Sequence, residues 1–170
     1  MVPTIEMDTM AENITIQRLA TEDFNWAENL WIREWGADYV VSRGKTHHLR
    51  DVDGLVAWTG TQRVGLLTYI TDGANIEIVT LYSFVEEAGI GTALVKKCID
   101  EAKKKKCKRV WLITTNDNID SLKFYQRRGF VMHALHKREI EHSRKIKPSI
   151  PQVGNYGIPI RDEIELEYIL

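Results

Sequence analysis

The sequence predicts one mixed α/β domain built on a mostly antiparallel sheet. Three observations carry that reading. Strand-like segments at Gly54 to Trp58, Arg63 to Ile70 and Asn75 to Ser83 follow one another on short turns. Strands joined so tightly pair antiparallel, because a parallel return needs a crossover of about a dozen residues. Strand, helix, strand, helix and strand then alternate as far as Leu135. The 170 residues suit one domain that buries roughly 70% of its unfolded surface.

Each element has a local reason. Met1 to Asn13 is polar and acidic and lacks the basic start and apolar core of a signal peptide. Residues 1–12 are read as a flexible N-terminus and residues 13–170 as the domain. Ile14 to Leu19 alternates as a first strand. Thr21 is the expected N-cap of a helix whose apolar face holds Phe24, Ala27, Leu30, Trp31 and Ile32, and Gly36 is its stop. Ala37 to Asp53, with Arg43, His47, His48 and Arg50, reads as an irregular polar stretch.

Thr59 to Gln62 and Thr71 to Gly73 are the turns of the three-strand run. Ile90, Leu94, Cys98 and Ala102 recur every fourth residue and mark a helix that ends in the lysines Lys103 to Lys106. Arg109 to Thr114 is a short apolar strand, and a helix follows from about Ile119 to Arg128, closed by Gly129. Phe130 to Leu135 returns as a strand. Pro148, Pro151, Gly154, Gly157 and Pro159 mark a linker to a last alternating strand, Ile164 to Leu170.

Composition narrows the class. Lys plus Arg is 23 and Asp plus Glu is 24, a net charge of −1. That leaves no global basic field to hold nucleic acid or an anionic membrane. No apolar run reaches the ~20 residues of a membrane helix. Two cysteines, Cys98 and Cys107, fit a reducing compartment rather than a disulfide scaffold. The expectation is a cytoplasmic protein.

The sharpest local signal is Val85-Glu86-Glu87-Ala88-Gly89-Ile90-Gly91-Thr92, which joins a strand to a helix. Free N–H groups at a helix start attract anions, and glycine lets a phosphate approach the backbone; a tight turn alone would also need glycine. The nucleotide-triphosphate loop is absent, since no Gly-Lys-Ser or Gly-Lys-Thr occurs. The dinucleotide fingerprint fails too, because Leu94 stands where it needs a third small residue.

Downstream, Asn118, Ser121, Phe124, Tyr125, Gly129 and Phe130 fall at the spacing Asn-x-x-Ala-x-x-Phe-Tyr-x-x-x-Gly-Phe. With Gly89 and Gly91, this resembles the GNAT superfamily of acetyl-CoA-dependent N-acetyltransferases. Ser121 stands where that family usually has alanine. Glu86 replaces the usual Arg or Gln of its pyrophosphate loop, and Glu87 occupies a position that is often glycine. The resemblance implies a twisted, mostly antiparallel seven-stranded sheet with helices on both faces. It implies acetyl-CoA as co-substrate, bound by Leu81, Tyr82 and Ser83, by the turn Glu87, Ala88, Gly89, Ile90, Gly91 and Thr92, and by Asn118 and Ser121. It implies no metal.

Acetyl transfer to an amine meets a simple obstacle. A lysine-like amine has a pKa near 10.4, so at pH 7.4 only about one molecule in a thousand is neutral, a deficit of ~4 kcal/mol. A general base supplies part of that. Glu77, which opens the strand before the glycine turn, is the candidate base; a solvated strand glutamate is the plainer alternative. His47 and His48 have a suitable intrinsic pKa, but neighbouring imidazoles point apart, and without a third ligand they do not make a metal site. Tyr125 matches the family's tyrosine beside the departing sulfur and is the candidate acid, with core packing as the alternative. Trp31 and Trp35, one turn apart on the first helix, are candidates for the acceptor wall, with core packing as the commoner alternative.

The sequence therefore points to an N-acetyltransferase in which a primary amine, on a small molecule or a peptide, attacks acetyl-CoA directly in a ternary complex. Polyamines, aminoglycosides, amino acids, protein N-termini and lysine side chains all stay open as acceptors. The alternative is a non-catalytic acyl-CoA-binding sensor or interaction module with the same fold. No nucleic acid or membrane partner is expected, and a homodimer is left open.

Overall fold

The structure is a computed structural model and describes residues 13–170; the flexible N-terminus read at 1–12 lies outside them. β1 (Ile14–Arg18) leads to α1 (Phe24–Trp35), which Gly36 ends in the left-handed conformation, as expected. The cap at the other end differs from expectation. The carboxylate of Asp23, not the Thr21 hydroxyl, accepts the Ala20 N–H at 2.9 Å.

Ala37 to Asp53 is not irregular. It holds a hairpin of β2 (Tyr39–Ser42) and β3 (Lys45–His48). Arg43 and Gly44, with φ of 50° and 68°, make the tight turn between them, the geometry that matches strand twist. Its β-branched pair Val40-Val41 was the overlooked strand signal.

The meander is β4 (Asp53–Thr59), β5 (Gln62–Asp72) and β6 (Asn75–Ser83). Next come α2 (Ile90–Lys104), β7 (Arg109–Thr115), α3 (Ile119–Gln126) and β8 (Val131–His136). The supposed linker begins with a fourth helix, α4 (Glu139–Ile146), before β9 (Glu163–Ile169). Seven strands form one sheet in the order β1-β4-β5-β6-β7-β9-β8. The β6–β7 contact is parallel and every other pairing is antiparallel.

Strand alternation divides the core. Leu55, Leu67 and Ile76 pack on one face with Ile90, Leu94 and Cys98 of α2. Val56 and Leu66, one residue out of phase, pack on the other face with Ala27, Leu30 and Trp31 of α1. Each fully buried side chain of this kind contributes about 1.5–3 kcal/mol against exposure. Helices thus cover both faces, and the parallel pair lies at the centre.

Candidate active site

β6 and β7 pair only from Asn75 and Arg109 to Ile78 and Leu112. One residue later β6 bulges. Thr80 pairs with Thr68 and Ile78 with Tyr69, so Val79 has no partner on β5. An extra residue bends its strand. The Thr68 and Thr80 hydroxyls, 2.6 Å apart and buried, tie the bulge to β5. Beyond it β6 and β7 separate, leaving a cleft of about 340 Å³ between Thr80 and Leu81 on one side and Ile113 and Thr114 on the other. Asn118, Ser121, Phe124 and Tyr125 of the α3 region complete its wall.

The glycine turn abuts this cleft. Gly89 is the N-cap of α2, with φ of 77° and no side-chain cap. The first intrahelical bond runs from the Ala93 N–H to the Gly89 carbonyl, at 2.9 Å. The N–H groups of Ile90, Gly91 and Thr92 therefore lack helical acceptors and face outward from a positive helix end. Gly91 answers a packing need as well: a Cβ there would lie 3.2 Å from the Phe124 ring. Glu87 adopts φ of 61°, which explains why glycine is usual at this position. Glu86 and Glu87 are both exposed.

One residue of this region carried no earlier assignment. Arg128 donates Nε to Thr92 Oγ1 at 2.9 Å, and its Nη2 bonds the same hydroxyl. Its guanidinium lies 3.5 Å from the Phe124 ring centre, and Nη1 bonds the Phe124 carbonyl at 2.6 Å. Among the described residues it has no carboxylate partner. A positive charge thus stands at the α2 N-terminus, where position 86 has a carboxylate. The i, i+4 spacing from Phe124 was the available signal.

Tyr125 is only 5% exposed, packed edge-on to Phe124 at 5.0 Å and to Phe130 at 5.2 Å. Burial pushes its phenol pKa above the usual value, so it stays a neutral donor. Asn118 caps α3, accepting the Ser121 N–H at 3.1 Å.

A second cavity of about 470 Å³ adjoins the cleft, sharing Trp35, Val79, Ile113, Thr114 and Asn118 as walls. Ser42 of the hairpin, Ser143 and Lys147 at α4, and Glu163 line its far side, and Ser149 to Pro151 close it. The proline- and glycine-rich segment is therefore a wall of this cavity. Arg144 holds it by donating to the carbonyls of Ile150, Pro151 and Ile160 at 3.3, 2.7 and 2.7 Å. The buried Asp117 carboxylate accepts the Asn155 N–H at 2.9 Å.

Two buried carboxylates serve this end. Glu77 is 7% exposed and accepts the Ser42 hydroxyl at 3.0 Å. It does not itself line the cavity; Ser42 stands between. Glu163 does line it, at 2% exposure, and accepts the Arg43 N–H at 3.3 Å and the Ser143 hydroxyl at 3.4 Å. Burial raises the pKa of both, and the Ser42 hydrogen bond partly offsets this at Glu77.

The other sequence candidates separate. Leu81, Asn118 and Ser121 line the cleft, and Trp35 lines both spaces. Trp31 is wholly buried under the sheet and reaches neither. Tyr82 points to the α1 side, edge-on to Trp35 at 6.4 Å. The Ser83 hydroxyl turns to the Val85 carbonyl at 2.8 Å. His47 is buried with its pKa lowered by burial, while His48 is exposed beside Tyr39, so the two point apart on β3. Burial lifts the Cys98 thiol to about 12, which leaves it inert as a nucleophile. Among the described residues, no group of three or more His, Cys, Asp or Glu is placed to hold a metal, and no helix is long and apolar enough to cross a membrane.

A mostly antiparallel sheet, one splayed parallel pair and a glycine turn at its mouth define an acetyltransferase domain. The model of the acetyltransferase (GNAT) family matches residues 15–130. The chain belongs to that family. It is 38% identical to YdhI of Bacillus subtilis (strain 168), an uncharacterized protein, over 137 residues, 80% of this chain and 86% of that one. YxbD of the same strain, also uncharacterized, is 40% identical over 135 residues, 79% of this chain and 85% of that one. The fold matches a GNAT family acetyltransferase from Elizabethkingia anophelis, solved with acetyl-CoA bound, with a TM-score of 0.70 at 22% identity, covering 94% of this chain and 99% of that one.

Proposed function

We propose that the protein moves the acetyl group of acetyl-CoA to a primary amine by direct attack in a ternary complex. The observation that carries this is the junction at Asn118 between two adjoining cavities. The cleft side holds a buried neutral phenol, Tyr125; the far side holds buried carboxylates. The cleft between β6 and β7 suits an extended pantetheine arm, with unpaired strand backbone to bond it. The α2 N-terminus and Arg128 suit the pyrophosphate.

The amine nitrogen attacks the thioester carbonyl carbon and the carbon–sulfur bond breaks. The nitrogen's proton leaves towards Glu77 through the Ser42 hydroxyl, and the departing thiolate takes a proton from Tyr125. Thiol and amide are the products; Glu77 gives its proton to solvent and the Tyr125 phenolate regains one from solvent. No acyl-enzyme is needed, and the raised Cys98 pKa agrees with that.

The test is amine-dependent thiol release from acetyl-CoA with a panel of primary amines. Release with formation of the N-acetyl product supports the reading. Tight CoA binding without transfer to any amine supports the non-catalytic binding module instead.

A further inference from the structure

Lys147 is a buried cation without a buried anion. It is 6% exposed. Its ammonium donates to the carbonyls of Trp35 and Tyr39, and among the described residues no carboxylate pairs with it. It caps the Trp35 carbonyl at the end of α1, beside Gly36, whose N–H bonds the Ile32 carbonyl at 2.9 Å. Two of the three ammonium protons are used, and a desolvated charge without a counter-ion is costly. Trp35, Gly36 and Lys147 all line the 470 Å³ cavity, so the ammonium bonds the carbonyl of a wall residue; the Tyr39 ring centre lies 5.4 Å from it. Burial also lowers the lysine's pKa, which an anion beside it would reverse.

The same cavity has a negative spot at Glu163. The guanidinium of Arg43, whose charge also acts on Glu163, pairs with Glu139 at 3.7 Å. Glu34, the other carboxylate of the lining, pairs with Arg33 at 2.7 Å, so a ligand with a single charge leaves Lys147 or Glu163 unmet. Ser143, which bonds Glu163, stands four residues before Lys147, about 6 Å along a helix. The rest of the wall is largely apolar, with Val40, Ile140, Ile150 and Ile160.

We infer that the acceptor is a small zwitterion, an amino acid with an apolar side chain, whose carboxylate is held by Lys147 and whose amine lies on the Glu163 side. This rests on the reading of the site as an amine acetyltransferase and names its substrate class. Lys147 then acts as a specificity residue that binds substrate without taking part in the chemistry.

The experiment compares leucine, methionine and phenylalanine with their carboxamides and their decarboxylated amines, as acceptors for the wild-type protein and for Lys147→Met and Lys147→Arg. The wild type should favour the free amino acids by about 10- to 100-fold in kcat/KM, the worth of one charge-assisted hydrogen bond. Lys147→Met should abolish that preference by raising KM for the free amino acids; Lys147→Arg should keep part of it. Equal use of all three acceptor forms by the wild type overturns the inference while leaving amine acetylation intact. Should no amine be acetylated, binding decides: calorimetry with the amino acids and CoA shows heat in the wild type and none in Lys147→Met if the anion site is real. Absence of binding in the wild type sinks it. If Lys147→Met fails to fold, the wild-type panel and Lys147→Arg carry the test alone.

Discussion

Ser42 on the β2–β3 hairpin donates its hydroxyl to the buried carboxylate of Glu77 on β6, at 3.0 Å, so an element outside the main sheet controls the charge beside the 470 Å³ cavity. That hydrogen bond favours the ionised carboxylate while burial opposes it. If Glu77 receives the amine proton, the low-pH limb of the rate profile reports its ionisation, at a pH above that of an ordinary carboxylate. Ser42→Ala removes both the favourable contact and the proton relay, so turnover falls and the remaining limb moves to higher pH. Glu77→Gln should lower turnover most at neutral pH and recover partly at high pH, where the amine arrives neutral. A pH series of turnover checks both, with His47→Ala, His48→Ala and Glu163→Gln alongside. An unmoved limb in Glu77→Gln, with loss of the limb in one of the others, transfers the role.

Tyr125→Phe removes one oxygen from a ring that Phe124 and Phe130 hold edge-on. The variant should fold and bind acetyl-CoA as the parent does, and lose about 10²-fold or more in turnover if the phenol protonates the leaving sulfur. Unchanged turnover would make Tyr125 a packing residue only.

The turn before α2 stands out in the sequence by its glycines, but the packing of Gly91 on the Phe124 ring does not. Gly91→Glu would combine a clash on Phe124 with a new charge, so it cannot isolate the phosphate contribution. Glu87→Gly can. It relieves a left-handed residue worth about 1–2 kcal/mol, partly offset by backbone entropy, and removes a carboxylate near the helix end. CoA should bind a few-fold more tightly at low salt, with the gain shrinking as salt screens it. Calorimetry at two salt concentrations reads this; an affinity independent of residue 87 at low salt removes the electrostatic argument.

Strands and helices with a clear apolar period, such as the Ile90–Ala102 stripe, were readable because burial on one face writes itself into the sequence. The hairpin and α4 were not. Both are short and polar, and each is held by tertiary bonds: Arg43 N–H to Glu163, Arg138 N–H to Asp162 at 2.8 Å. The far side of the 470 Å³ cavity is built from those two elements and the Arg144-strapped segment, so Ser42, Lys147 and Glu163 are not marked by any linear motif. Tyr125, Asn118 and the glycines stand out in the sequence because they follow a linear motif. Trp31 shows the limit of spacing: one turn from Trp35 and on the same helix, it turns into the core.

The buried carboxylates also carry a stability signature. Glu163 has a folded pKa raised above its unfolded value, so between the two values the native state binds more protons and stability falls as pH rises. Glu163→Gln removes the ionisation cost. Its melting temperature should exceed the parent's at neutral pH, and the difference should shrink below the unfolded carboxylate pKa, near 4.3. Thermal melts across that range check the sign. A variant destabilised equally at every pH would mean that the Arg43 and Ser143 hydrogen bonds outweigh the burial cost.

The most direct test of the account is a single-turnover reaction with acetyl-CoA and an amine acceptor from the panel, quenched and read by intact-protein and small-molecule mass spectrometry. The account predicts that free CoA and N-acetylated amine appear together, in equal amounts, with the protein mass unchanged throughout. An acetylated protein preceding the product, or CoA bound without any acetyl group leaving it, would contradict it.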